Sequence, residues 1–151
     1  GMDTIHDRVQ CLTDYMLKQL MELKHGNGRP IVRIYGPTDA NGRGGTVALN
    51  LYTADGTAID HRIVEERAAR RHLSLRTGCF CNPGAGELAL GLSKDEMIRC
   101  LHNPRSRMSL EEFWQCIDGK STGAVRLSLG IVSNYNDVKR ALDFILEFRE
   151  D

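Results

Sequence analysis

Apolar residues recur every three or four positions from Asp3 to His25, at Ile5, Val9, Leu12, Met16, Leu20 and Leu23, and this spacing predicts an amphipathic helix. Gly26-Asn27-Gly28 comes next as its stop signal. The period then shortens. Pro30 opens PIVRIYGP, a short β-rich run closed by Gly36-Pro37; after the loop TDANGRGG, TVALNLYT alternates with Val47, Leu49 and Leu51 on one face. Asp55-Gly56 is a turn signal.

Helical spacing returns at His61, with Asp60 as the predicted cap, Val64, Ala68 and Ala69 facing inward and a row of Glu and Arg facing water. LSLRTG reads as a short strand. GELALGLSKDEMIRCL divides into a short helical piece and a second helix capped by Ser93, with Glu96 completing a capping box. NPRSRMSLEEFWQCIDGK is polar and irregular apart from a short helix after Ser109. GAVRLSLG is a further strand, and NYNDVKRALDFILEF is a closing helix with Val138, Ala141, Leu142 and Ile145 inward. The order is helix, two strands, helix, strand, loop-rich insert, strand, helix. It predicts an α/β two-layer sandwich, a small and mostly antiparallel sheet covered by helices.

Composition narrows the function classes. At 151 residues the chain is one domain's worth. Twenty basic residues balance twenty acidic ones, so there is no electrostatic footprint for nucleic acid or an anionic membrane surface. No apolar run approaches the roughly 20 residues that cross a bilayer, and no signal-peptide pattern is present, which together predict a cytoplasmic protein. Five cysteines without framework-like spacing predict reduced thiols. Gly1 ahead of Met2 reads as a remnant of tag removal, which leaves open whether 2–151 is a whole protein or an excised piece.

LRTGCFCNPGAGE carries the candidate chemistry. Cys79 and Cys81 stand one residue apart, between Gly78 and a predicted turn at Asn82-Pro83-Gly84. A metal site, a reactive thiol on an exposed loop and two incidental cysteines all fit this pattern. A structural zinc site needs four ligands in local pairs, and only one pair is evident; Cys100 with His102 could be offered as the second. Cys100, however, falls on the inward spacing of its helix beside Met97 and Leu101, where a small buried hydrophobe belongs. Cys11 and Cys116 read as packing residues or incidental thiols. Cys81 differs because a thiol on an exposed turn can reach outward, and a guanidinium such as Arg76 nearby would favour its thiolate. Arg126 is the other conspicuous residue, lying inside the apolar strand GAVRLSLG. It is either a solvent-facing strand residue or a planar two-point clamp for a carboxylate.

Three stretches together, GRPIVRIYGP (28–37), RTGCFCNPGA (76–85) and TGAVRLSLGIVSNYNDV (122–138), resemble the C-terminal small domain of class V aminotransferase-like enzymes. These pyridoxal-phosphate proteins include the cysteine desulfurases and the desulfurase-like part of molybdenum cofactor sulfurases, whose loop typically reads R-T-G-C-F-C-N-P-G-A-C. The resemblance covers essentially the whole chain after the first helix. It implies that Cys81 is the thiol that attacks the sulfur of the substrate cysteine and becomes a persulfide, acting as a covalent nucleophile. It likewise implies that Arg126 holds the substrate α-carboxylate and that Arg76, at the base of the loop, supports the site. The loop's third cysteine is replaced by Gly86.

The cofactor lysine, the ring-stacking histidine, the acidic partner of the pyridine nitrogen and most phosphate contacts would belong to the large domain. None of the five lysines lies in a context like the cofactor-lysine motif. The resemblance therefore implies that pyridoxal phosphate binds the full-length parent, that 2–151 holds no cofactor and does not turn over alone, and that the parent is a homodimer acting on L-cysteine or a related amino acid. Molybdenum cofactor, an iron–sulfur scaffold and a tRNA-modifying carrier are all compatible sulfur acceptors, and Cys79 either relays sulfur or merely neighbours Cys81. Two other readings compete: a class V aminotransferase or lyase domain that needs no thiol, and a non-catalytic dimerisation or interaction module.

Overall fold

A computed structural model describes residues 1–79, 82–101, 109–117 and 120–149. The first helix, α1 (Met2–Glu22), turns Met16, Leu17 and Leu20 into the core. It stops three residues earlier than the hydrophobic spacing predicts, because Leu23 is already extended and its carbonyl pairs across a tight reversal instead of continuing the helix. Ile31 N donates to Leu23 O at 3.1 Å and His25 N to Arg29 O at 2.9 Å, so residues 23–31 fold back on themselves. Gly28, with φ of 84°, allows that reversal. His25 is buried in it, and its Nε2 lies 2.9 Å from Tyr52 O.

Four strands make up the sheet: β1 (Val32–Tyr35), β2 (Thr46–Leu51), β3 (Arg76–Gly78) and β4 (Ala124–Ser128). Their order is β1-β2-β4-β3, with every neighbouring pair antiparallel. This is the expected two-layer α/β arrangement. Alternation decides the two faces. Val47, Leu49, Leu51 and Val125 point to one side and are at most 2% exposed. They meet α1, α2 (His61–Arg70) and α6 (Tyr135–Leu146) in a single core with Val64, Val138 and Phe148. Each such large apolar side chain, fully buried, contributes about 1.5–3 kcal/mol relative to exposure.

Capping sets the start of α2 where the sequence predicts it, and two capping boxes not predicted from the sequence set further helix starts. Asp60 accepts from Arg62 N, and Ser109 and Asn134 form capping boxes with Glu112 and Asp137. Inward Val64 and Ala68 are buried, but Ala69 is exposed, since a ten-residue helix with a charged outer face shows only a narrow stripe to the sheet. Arg67 closes that side by laying its guanidinium 4.6 Å from the ring centroid of Phe148, which meets Phe144 edge-on. No helix among the described residues is long and apolar enough to cross a membrane.

Between β3 and β4 lies the helical insert α3 (Pro83–Leu90), α4 (Lys94–Leu101) and α5 (Leu110–Cys116). Asn82-Pro83-Gly84 proves to be a helix start rather than a turn. Asn82 Oδ1 accepts from Ala85 N at 3.2 Å, and Pro83 fills a first-turn position where an N–H would be wasted. The expectation of reduced thiols throughout is overturned within this insert. Cys100 and Cys116 form a disulfide joining α4 to α5, so neither is a simple packing residue and Cys100 is no metal ligand. Sixteen residues of separation hide the pairing from the sequence, because only helix packing brings the two together.

Glu96 ties the insert to the chain running into β4. It caps α4 through Ser93 and accepts from Lys120 Nζ at 2.6 Å; the same ammonium also donates to Gly91 O. The Lys120 hydrogen bond, together with those from Ser93, pulls the Glu96 carboxyl from an ordinary 4.5 down to about 2. A depressed folded-state pKa gives stability that is complete above the unfolded value and is lost as pH falls through the folded one. Denaturant unfolding of wild type and Glu96→Gln should therefore differ most above about pH 4.5 and converge toward pH 2; a constant difference across that range would contradict the assignment.

Candidate functional site

The face of the sheet away from the core carries the candidate site residues. Antiparallel register aligns one residue from each strand in a row, Tyr35 opposite Ala48, Ala48 opposite Arg126, and Arg126 opposite Arg76. Both arginines are exposed, and neither has a hydrogen-bond or ion-pair partner among the described residues. Ala48, Ala124 and Gly78 leave room beneath them, and the result is a cavity of about 280 Å³ lined also by Thr77 and Cys79. No lysine and no carboxylate lines it among the described residues.

Of the residues singled out in the sequence, Arg76 and Arg126 are brought together here, with the exposed thiol of Cys79 at the same cavity. Cys81 and His102 lie outside the described residues. Cys11 is an exposed thiol on α1, hence no packing residue. Among the described residues no group of three or more His, Cys, Asp or Glu side chains is placed to hold a metal ion.

Local sequence explains the base of the loop. Gly78 ends β3 with φ of 126°, a conformation that L side chains rarely adopt, so glycine is what lets the chain leave the sheet there. Thr77 Oγ1 donates to Glu65 Oε2 of α2 at 2.7 Å, fixing the strand from the helix side. Gly78 in turn presses on Gly123, where an added Cβ would come within 2.8 Å of the Gly78 carbonyl and of His61 Cε1. Asn50 and Ser121 hold Gly123 in place, both donating to its carbonyl, at 3.0 and 2.6 Å.

Sequence reasoning passed over Asn50, His61, Ser121 and Gly123. Only Asn50 left a signal, an amide inside TVALNLYT where strand propensity disfavours it. The open face can therefore hold an anion: two guanidiniums converge on a small-residue floor, and a planar carboxylate matches a guanidinium's forked donors.

Two like charges directly opposite one another in a sheet repel, by an amount comparable to other cross-strand pairs, about 0.2–1 kcal/mol. Arg76→Gln and Arg126→Gln should thus each raise stability by a few tenths of a kcal/mol at low salt, and the gain should shrink as salt is added. Denaturant midpoints at two ionic strengths read this directly, and a loss of stability in both variants would mean that an unseen carboxylate pairs with them.

No family model matches the chain. Curated relatives do. A molybdenum cofactor sulfurase from Drosophila ananassae is 37% identical over 147 residues, 95% of this chain and 19% of that protein. The Arabidopsis thaliana molybdenum cofactor sulfurase is 38% identical over 145 residues, covering 89% of this chain and 17% of that protein. The one from Bos taurus is 33% identical over 152 residues, 99% of this chain and 17% of that protein. The chain thus spans about a fifth of the length of the relatives it matches. Among solved structures, a NifS-like protein from Rickettsia africae superposes with a TM-score of 0.57 at 12% identity, over 97% of this chain and 29% of that one. Sequence and fold agree with the resemblance carried by the loop and strand motifs: the chain is a homologue of one segment of the molybdenum cofactor sulfurases, in a fold shared with a NifS-like protein.

Proposed function

We propose that residues 2–151 are the C-terminal small domain of a pyridoxal-phosphate-dependent cysteine desulfurase-like enzyme and supply it with a carboxylate clamp and a sulfur-accepting cysteine loop. The observation that carries this reading is the convergence of Arg126, Arg76 and the Cys79 end of the loop on one cavity of the open sheet face. Arg126 takes the substrate's α-carboxylate through two parallel N–H···O bonds, which fixes the amino acid's orientation. Arg76, beside it, keeps the cavity positive.

Cys81 is the proposed nucleophile. Its thiolate attacks the sulfur of the substrate cysteine; an S–S bond forms as the C–S bond breaks, and the electron pair of the broken bond stays with carbon. The persulfide then passes to an acceptor, and the relatives' name makes molybdenum cofactor the first acceptor to test. Pyridoxal phosphate, when bound, supplies the electron sink that makes bonds at the substrate's carbons labile. The described cavity suits a carboxylate, and the reading assigns the cofactor's own contacts to a large domain of the parent. The parent is proposed to be a homodimer.

The test uses the parent chain loaded with pyridoxal phosphate and given L-cysteine, with added sulfur mapped by peptide mass spectrometry. Persulfide is expected at Cys81 and absent in Cys81→Ala, while Arg126→Gln should cut kcat/KM by two orders of magnitude or so, about 3 kcal/mol for a charged hydrogen bond. A Cys81→Ala parent that makes persulfide at the wild-type rate sinks the reading. Amino-acid turnover that needs Arg126 but not Cys81 moves the function to aminotransferase or lyase chemistry.

A further inference from the structure

Asn50 is 1% exposed in the second strand of the sheet, and Ser121 is 7% exposed just ahead of β4. Burying an amide in an apolar strand costs free energy unless its hydrogen-bonding groups are matched. Asn50 is matched on one side only: Nδ2 donates to Gly123 O, while Oδ1 has no partner among the described residues. An apolar residue of similar size would serve stability at least as well. What the amide does achieve is placement. Ser121 Oγ donates to the same carbonyl and accepts from Gly123 N at 3.3 Å, so Gly123 is held at both its polar groups by buried side chains.

The contacts continue outward. Gly123 has no room for a side chain, because Gly78 and the His61 ring occupy that space. Gly78 pairs with Ala124 as the last rung of β3 on β4, two residues from the rung where Arg76 faces Arg126, and Cys79 is the next residue along. A displacement at Gly123 would therefore reach the arginine rung and the thiol together.

We infer that Asn50 and Ser121 are positioning residues, which through the Gly123–Gly78 contact hold the Cys79 end of the loop beside the two guanidiniums. The inference rests on the reading of this cavity as the working site, but its test does not depend on turnover.

The probes are two alkylating agents, anionic iodoacetate and neutral iodoacetamide, with rates resolved site by site by fragmentation mass spectrometry. Cys11, exposed on α1, is the reference in the same molecule. In wild type at low salt the iodoacetate-to-iodoacetamide rate ratio should be about threefold higher at Cys79 than at Cys11, as two screened guanidinium charges lining the same cavity imply. In Asn50→Leu and in Ser121→Ala that excess should disappear, while circular dichroism and cooperative unfolding persist; Ser121→Thr, which keeps the hydroxyl, should restore it. A wild-type ratio in folded Ser121→Ala overturns the positioning role, and Asn50→Leu need not fold for that result to count. No excess at Cys79 in wild type overturns it too, and places the fault in the cavity's electrostatics, whereas failure of the desulfurase reading would appear as missing persulfide with the excess intact.

Discussion

The pairing of β3 on β4 governs what this chain can present. β3 is three residues long, and its register sets which side chains share the open face. A slip of one residue would send Arg76 to the helix side and Thr77 outward, because side chains alternate along a strand. Short strands hold register weakly by themselves. Here the register is fixed from three sides: Thr77 bonds to Glu65 of α2, Gly78 lies against Gly123, and the strands' own ladder joins the two.

That register forces two cations into one rung, a choice a fold made only for stability would avoid. The open face keeps small residues under the arginines, and no acid relieves them among the described residues. The cost is modest at the surface, tenths of a kcal/mol, and is borne by a core in which three helices bury the opposite face of the same sheet. Local unfavourable charge placed on a rigid scaffold is what binding an anionic group requires, since the guanidiniums need not be reorganised when it arrives.

Much of this was readable in the residues. Alternation in TVALNLYT and the three-to-four spacing of NYNDVKRALDFILEF predict β2 and α6, because in both the buried face comes directly from the period. Capping chemistry at Asp60 and at Ser93 with Glu96, and the short helix expected after Ser109, place helix starts. Features that depend on distant parts of the chain were not readable. The end of α1 is set by pairing with residues 29–31, Asn82 could be a turn or a cap until a helix forms after it, and Cys100 meets Cys116 only through packing. Arg76 and Arg126 could each be singled out from their neighbours, but fifty residues separate them, and that they share a rung is a property of the sheet. Asn50 shows the reverse case: its oddness was visible, while its meaning needed Gly123.

The central claim is that Arg76 and Arg126 form one anion-binding unit. It is tested most directly by nuclear magnetic resonance of the arginine side chains while the chain is titrated with a small inert carboxylate such as L-alanine. The account predicts that the Nε resonances of Arg76 and Arg126 move together along one saturating curve, and that Arg62, already paired with Asp60, stays still. Uniform, unsaturable drift of all the guanidinium signals, or movement of only one of the two, would contradict it.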